Sequence, residues 1–361
     1  MIKERKDIVC IGTSNCVIGR HGFIKSLSKK HNVTNLSIGR SPFYMHITTI
    51  LRNKTLIEKN DLLIIDHLSN PNFMNSFKYN DYLVKFYDLL ASLNVNIIII
   101  SFPHLMKKSF FIEHRLKAQK LADDRNLTFI DFKAEYVRRE FFSDAQHIHI
   151  FSSYIFGEWL SEVVDSLNSL SKPTNGSFSG FEIITPKNYS NKFKTSIIDV
   201  EYYNLKNKEI QFKVNGYLLS IEYISNGINK FTLNDKCYHV DSFEKGLYQD
   251  SFNEKLYFDG ILILKDSISQ NTQPVIDRNG ISRKEVNNSL SLVSLLFEKE
   301  FKNTPSTGRS LIRFNIDALK EKLDDYESII LKNKTLKDEE ITSLAISAMN
   351  VEKFNIKLLK S

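Results

Sequence analysis

Asp7-Ile-Val-Cys-Ile-Gly12-Thr13-Ser14-Asn15 decides the fold. A short, β-branched run closes on a glycine, and the chain then turns into helical spacing. Over residues 17–30, Ile18, Phe23, Ile24 and Leu27 recur on one face, the signature of an amphipathic helix. The alternation continues downstream. Residues 33–38 form a second strand-like run closed by Gly39, and helical pattern resumes at Phe43. Asp61-Leu-Leu-Ile-Ile65 reads as a third strand, Asn96-Ile-Ile-Ile-Ile100 as a fourth and residues 127–132 as a fifth. Between the third and fourth, Tyr82, Phe86, Leu89, Leu90 and Leu93 line one face of a helix over 79–93; a closing helix is expected over 153–167. Strands that are apolar on both sides and separated by helices predict an α/β domain with a doubly wound, parallel five-stranded sheet. We place it at residues 1–170.

The pattern changes after Leu170. The ten residues from Ser171 to Gly180 read as a turn-rich linker. From 181 to about 268 the chain is strand-like and aromatic. Asn215-Gly216, Asn226-Gly227 and Asp259-Gly260 punctuate it, and such pairs favour tight hairpin turns. A β-rich, sandwich-like domain is therefore expected at 181–283. Helical spacing over 316–331 and 339–349 suggests a helical C-terminal region at 284–361. Two placements stay open for that tail, over the sandwich or in a homodimer contact.

The composition narrows the partners. The chain has 361 residues, a formal net charge of +7 and scattered basic residues, which fits an anionic partner without selecting one. Nothing supports a basic-aromatic nucleic-acid platform beyond that charge. Three cysteines, Cys10, Cys16 and Cys237, are too few and too unevenly spread for a disulfide framework or a zinc knuckle. With no secretory signal pattern and no apolar run near the roughly 20 residues that span a bilayer, the expectation is a cytoplasmic protein without a membrane span. No cluster has metal-ligand spacing, and no glycine-rich phosphate loop is present.

In an open parallel sheet, ligands gather where the strands end at their carboxyl edge. Ser14 stands at the end of the first strand, where its hydroxyl is exposed; taken alone, a serine there is more often only a helix N-cap. Gly39 ends the second strand and permits close backbone approach. Asn70 follows the third, in Leu68-Ser-Asn70-Pro71, where a turn asparagine is the plainer reading. Far along the chain, just before the closing helix, comes Asp144-Ala-Gln-His147. This spacing can bring carboxylate and imidazole to one locus, with the second ring nitrogen facing a nucleophile.

Taken together, the order Ser14, Gly39, Asn70 and Asp144-x-x-His147 resembles the SGNH (GDSL-like) hydrolases over residues 7–168, under half of the chain. That resemblance implies Ser14 as nucleophile, His147 as general base and Asp144 as its orienting partner. It also implies an oxyanion hole from the N–H groups of Ser14 and Gly39 and the amide of Asn70. Two departures stand out: the family's Gly-Asp-Ser is Gly12-Thr13-Ser14 here, and its Gly-x-Asn-Asp becomes Leu68-Ser-Asn70-Pro71. Arg40, Ser41, His67 and His104 lie in the sheet-edge loops as candidate substrate contacts, while His149 supports the site.

By family analogy the expected activity is an esterase or acetyltransferase on O-acetyl groups of a bacterial carbohydrate or capsule polysaccharide. Hydrolysis needs no cofactor; transfer to a sugar hydroxyl would draw on acetyl-CoA as donor. The competing reading is a catalytically inactive, SGNH-like glycan-binding or assembly protein. Its binding surface would be the tyrosines of the β-rich segment: Tyr202, Tyr203, Tyr217, Tyr223, Tyr238 and Tyr257.

Overall fold

The structure is a computed structural model that describes residues 5–18, 22–39, 41–68, 79–102, 109–132, 142, 147–167, 173–174, 176–189, 191–195, 198–225, 227–242, 245–267, 272–275 and 287–332. Five strands, β1 (Asp7–Ile11), β2 (Asn32–Asn35), β3 (Leu62–Ile65), β4 (Asn96–Ser101) and β5 (Thr128–Asp131), form one sheet in the order β2-β1-β3-β4-β5. Every pairing in it is parallel. The order reverses beside β1, which opens a crevice at the carboxyl ends of β1 and its neighbours.

Among the described residues, seven helices accompany these strands: α1 (Ser14–Ile18), α2 (Phe23–Lys30), α3 (Phe43–Arg52), α4 (Lys54–Lys59), α5 (Tyr79–Ser92), α6 (Ser109–Asp123) and α7 (Ile150–Asp165). The single helix read over 17–30 is two, because α1 stops at Ile18 and α2 starts at Phe23. Alternation along each strand fills two cores. Val9, Ile11, Leu63, Ile65, Ile97 and Ile99 meet side chains from α3, α5 and α6. Ile8, Cys10, Leu62, Ile64, Ile98 and Ile100 meet Phe23 and Leu27 of α2 and Phe156, Trp159 and Leu160 of α7. Continuous apolar strand sequence thus follows from burial on both faces.

The remaining strands are β6 (Ser177–Phe178), β7 (Phe181–Ile184), β8 (Asn191–Lys194), β9 (Asp199–Asn204), β10 (Glu209–Ser225), β11 (Ile228–Leu233), β12 (Lys236–Asp241), β13 (Gly246–Asp266), β14 (Gln273–Pro274), β15 (Asn287–Ser289), β16 (Ser291–Glu298) and β17 (Asn303–Thr304). Ten of them build a separate, mainly antiparallel sheet along the path β14-β12-β11-β13-β10-β16-β9-β8, with β15 on β11 and β7 on β16.

Three expectations change here. Asn215-Gly216 and Asp259-Gly260 are not hairpin turns; they lie inside β10 and β13, where Asn215 pairs with Asp259 across the ladder. Gly216 and Gly260 have φ of +141° and +121°, values that favour glycine within a strand. At Gly216 a Cβ would also sit 2.3 Å from the Glu298 carbonyl oxygen of β16. Next, the stretch from 284, read as helical, holds β15, β16 and β17 before α8 (Ile316–Lys332), the last helix among the described residues, begins. Residues 292–293 and 295–297 are all apolar and buried, and periodicity cannot tell such a run from a buried helix. The proposed helix over 339–349 lies outside the described residues. Finally, the linker over 171–180 is tied down: β6 pairs with β17, and Thr174 bridges Thr307.

The chain returns to the α/β unit after the second sheet, so that sheet is an insertion. Ser306 Oγ donates to the carbonyls of Ser92 and Leu93 at 2.9 Å each, and Arg309 Nη2 to those of Ala91 (3.0 Å) and Leu93 (2.8 Å). These donors satisfy acceptors that the C-terminus of α5 leaves open. Trp159 Nε1 donates to the Asn315 carbonyl at 2.9 Å, and Leu319 and Leu323 of α8 join the α2–α7 core. Thus α8 lies against α7, rather than over the second sheet.

The two units share an interface. Met45 of α3 packs with Ile224, Leu247 and Val293. Gln249 Nε2 donates to Thr48 Oγ1 at 2.9 Å and to Ser220 Oγ at 2.7 Å. Arg52 forms a bidentate ion pair with Glu222, which is 1% exposed and also accepts from Ser294 Oγ at 2.5 Å.

Beneath this interface His46 and His67 are buried in the α/β core. Burial pushes His46 down to about 4, and burial together with neighbouring His46 holds His67 well below the usual histidine range. Both stay neutral in the fold yet would take up protons once unfolded below pH about 6.5. Stability is therefore full above pH 6.5 and is lost as pH falls toward 4, at about 1.4 kcal/mol per pH unit for each histidine. Urea unfolding between pH 7 and pH 5 checks this: His46→Leu should flatten the slope by about that amount, and an unchanged slope would contradict it.

Candidate active site

The nucleophile turn is built by close packing. Gly12 follows β1 directly, and a Cβ there would sit 2.2 Å from Cys16 Sγ, so glycine lets β1 enter α1 without displacing the Cys16 side chain. The amides of Cys16 and Val17 close the turn on the Thr13 carbonyl at 3.1 and 3.2 Å. Ser14 then opens α1 half-buried at the carboxyl edge of the sheet.

From the far end of the unit, residues 147–149 come back to the same edge. An antiparallel bridge between Phe142 and Ile148 closes the loop, and α7 begins at Ile150. His147 Nε2 lies 2.8 Å from Ser14 Oγ, although 133 residues separate the two in sequence. Asn15, 4% exposed, accepts from the Ile148 amide through Oδ1 at 3.2 Å, so the residue after the serine anchors the residue after the histidine. The arrangement allows His147 to take the Ser14 hydroxyl proton as the oxygen attacks an electrophile.

No protein-family model and no curated protein matches the chain. Among solved structures, it is similar to a protein from Slackia heliotrinireducens provisionally assigned as an SGNH hydrolase, with 14% identity and a TM-score of 0.33, over 45% of this chain and 98% of that one. A second is a provisionally assigned lipolytic protein of the G-D-S-L family from Desulfitobacterium hafniense DCB-2, with 16% identity and a TM-score of 0.38, over 44% of this chain and 99% of that one. Both matches take in nearly all of the neighbour and less than half of this chain.

The other expected site residues fall in different places. Gly39 is half-buried after β2, and Ile38 beside it donates its amide to the Gly12 carbonyl at 3.1 Å, which brings the glycine loop alongside the serine turn. A Cβ on Gly39 would meet only Val17 Cγ2, at 3.9 Å. Asn70, Asp144, Arg40 and His104 lie outside the described residues. Ser41 is 2% exposed, and its Oγ has no hydrogen-bond partner among the described residues.

His67 does not stand in an open loop. It is 3% exposed, with Nε2 3.0 Å from Tyr87 Oη and its ring edge-on to Phe43, Phe86 and Tyr87. β3 carries its burial two residues past its last ladder pair, so this neutral ring packs in the core instead of meeting substrate.

Asn15 stands in the Gly12-Thr13-Ser14-Asn15 block but nothing local shows its hold on Ile148, and Asp66 carries no motif that would announce it. Asp66 is fully buried and accepts from Thr13 Oγ1 at 3.0 Å. Its only sequence signal is an acidic residue ending an otherwise apolar strand. Among the described residues no group of histidine, cysteine, aspartate or glutamate could hold a metal ion. No described helix is long and apolar enough to cross a membrane.

Proposed function

We propose that this protein is a serine-dependent, SGNH-type acyl-ester enzyme that works through an acyl-Ser14 intermediate on O-acetyl groups of a bacterial glycan. The observation that carries the reading is the 2.8 Å contact between His147 Nε2 and Ser14 Oγ at the carboxyl edge of the sheet. Ser14 Oγ attacks the acetyl carbonyl while His147 Nε2 takes its proton; collapse of the tetrahedral adduct breaks the C–O bond to the sugar, and the departing oxygen receives that proton. Water or a sugar hydroxyl, deprotonated by His147, then attacks the acyl carbonyl; the bond to Ser14 Oγ breaks, Oγ regains the proton from His147, and acetate or the acetylated sugar leaves. Asp144 orients His147 in this scheme. The Ser14 and Gly39 amides, with the Asn70 side chain, stabilise the oxyanion, at about 3 kcal/mol per donor.

The glycan half of the reading draws on the inserted sheet. Tyr223 and Tyr238 are interior, whereas Tyr217 and Tyr257 are 38% and 54% exposed with ring centroids 5.0 Å apart. Exposed rings of this kind offer a stacking surface to sugars.

Incubating the protein with an O-acetylated oligosaccharide, with and without acetyl-CoA, tests the proposal. Acetate release without acetyl-CoA identifies an esterase, and acetylation of a deacetylated acceptor only with acetyl-CoA identifies a transferase. If it neither turns over these substrates nor cleaves 4-nitrophenyl acetate, the ester-chemistry reading fails and a glycan-binding protein takes its place.

A further inference from the structure

The serine turn is gripped from the neighbouring strand. Asp66 follows β3, the strand beside β1, and its amide donates to the Ile11 carbonyl at 2.9 Å, so its backbone is fixed to the end of β1. Its carboxylate is wholly buried and receives Thr13 Oγ1 at 3.0 Å. Cys16 Sγ lies 3.9 Å from the same oxygen, Oδ2. Burial and the Asp66 charge raise the Cys16 thiol well above its ordinary range, so it keeps its proton and acts as a donor. One oxygen thus engages residues on both sides of Ser14, one position before it and two after. A buried carboxylate is costly to hold unless hydrogen-bonded donors offset its desolvation. The donors here belong to the turn that must present Ser14 to His147.

We propose that Asp66 is a positioning residue for the nucleophile: acting through the Thr13 hydroxyl, it holds the 12–16 turn in the one geometry that keeps Ser14 Oγ in line with His147 Nε2. The role rests on the ester-chemistry reading above. Asp66 reaches the turn through Thr13 Oγ1 and Cys16 Sγ, the residues that flank the nucleophile. Its effect is therefore on kcat through the attack geometry, with binding left alone, because misplacement of a nucleophile raises the barrier without weakening the ground-state complex.

Steady-state kinetics on 4-nitrophenyl acetate, with thermal unfolding as a parallel measure of fold, decides the matter for the full chain. Thr13→Val keeps the side-chain shape and removes the donated hydrogen bond. It should lower kcat about tenfold, with KM changed less than twofold. Thr13→Ser restores the hydroxyl and should bring kcat back to within about threefold of the native value. Asp66→Asn retains an acceptor oxygen for Thr13 and should lose less than Asp66→Ala. Combining Thr13→Val with Asp66→Ala should cost less than the sum of the two single losses, since both remove the Thr13–Asp66 hydrogen bond. If Thr13→Val lowers only the unfolding temperature and turns over at the native rate, Asp66 is structural and the proposal is overturned. If the native protein itself neither turns over the ester nor reacts with a fluorophosphonate, the function reading falls instead.

Discussion

Replacing His147 with alanine is expected to lower kcat/KM on 4-nitrophenyl acetate by about 10⁴-fold or more, the same order as Ser14→Ala. A serine hydroxyl is a weak nucleophile at neutral pH, and its reactivity depends on a base within hydrogen-bond reach. His147 Nε2 is at 2.8 Å and has the geometry for that role. At about 1.36 kcal/mol per decade, 10⁴-fold corresponds to roughly 5.4 kcal/mol of transition-state stabilisation. The two side chains act as a unit, so the double variant should fall little below either single one. Steady-state rates of the three variants check this. A His147→Ala enzyme within tenfold of native would remove the histidine from the mechanism.

The second large effect concerns stability. Arg52→Ala should destabilise the protein by about 3–5 kcal/mol, because Glu222 would be left buried without its guanidinium. Burial opposes the Arg52 charge, yet its pKa is raised, since the Glu222 carboxylate more than compensates. Replacing both partners with apolar residues, Arg52→Met with Glu222→Leu, should recover most of the loss, as removing a buried pair together strands no charge. Arg52 ends α3, some 15 Å along the axis from the end nearer Gly39, so ester turnover per folded molecule should change little at 25 °C. Urea unfolding of the single and double variants measures the difference. Equal losses in both would mean that packing, and not the pair, holds the interface.

Some of this molecule is legible in its sequence. The five parallel strands are, because strands covered on both faces must be apolar throughout; Asn96-Ile-Ile-Ile-Ile100 is the plainest case, and Ile97 to Ile100 are all buried. The order of β2, β1 and β3 then places Gly12, Gly39 and the end of β3 at one edge. Ser14 and His147 are singled out only by the order Ser14, Gly39, Asn70 and Asp144-x-x-His147, since each alone reads as a cap or loop residue, and the fold brings the two within 2.8 Å.

Other features depend on partners far away in sequence. Local signals misplace Asn215-Gly216 and Asp259-Gly260, because both glycines take a positive φ inside a strand just as they would in a tight turn; at Gly216 the Glu298 carbonyl also leaves no room for a Cβ. The apolar run of β16 has no period to distinguish strand from helix. Ser306 and Arg309 look like ordinary loop residues until they are seen on the carbonyls of α5. His67 reads as a loop histidine because nothing local shows the aromatic side chains of α3 and α5 that enclose it.

Reaction of the full chain with a fluorophosphonate, followed by peptide mapping, tests the central claim most directly. A single adduct on Ser14, absent from Ser14→Ala and strongly slowed in His147→Ala, is the predicted result. A well-folded native protein that takes up no probe, or an adduct on another residue that persists in Ser14→Ala, would contradict it.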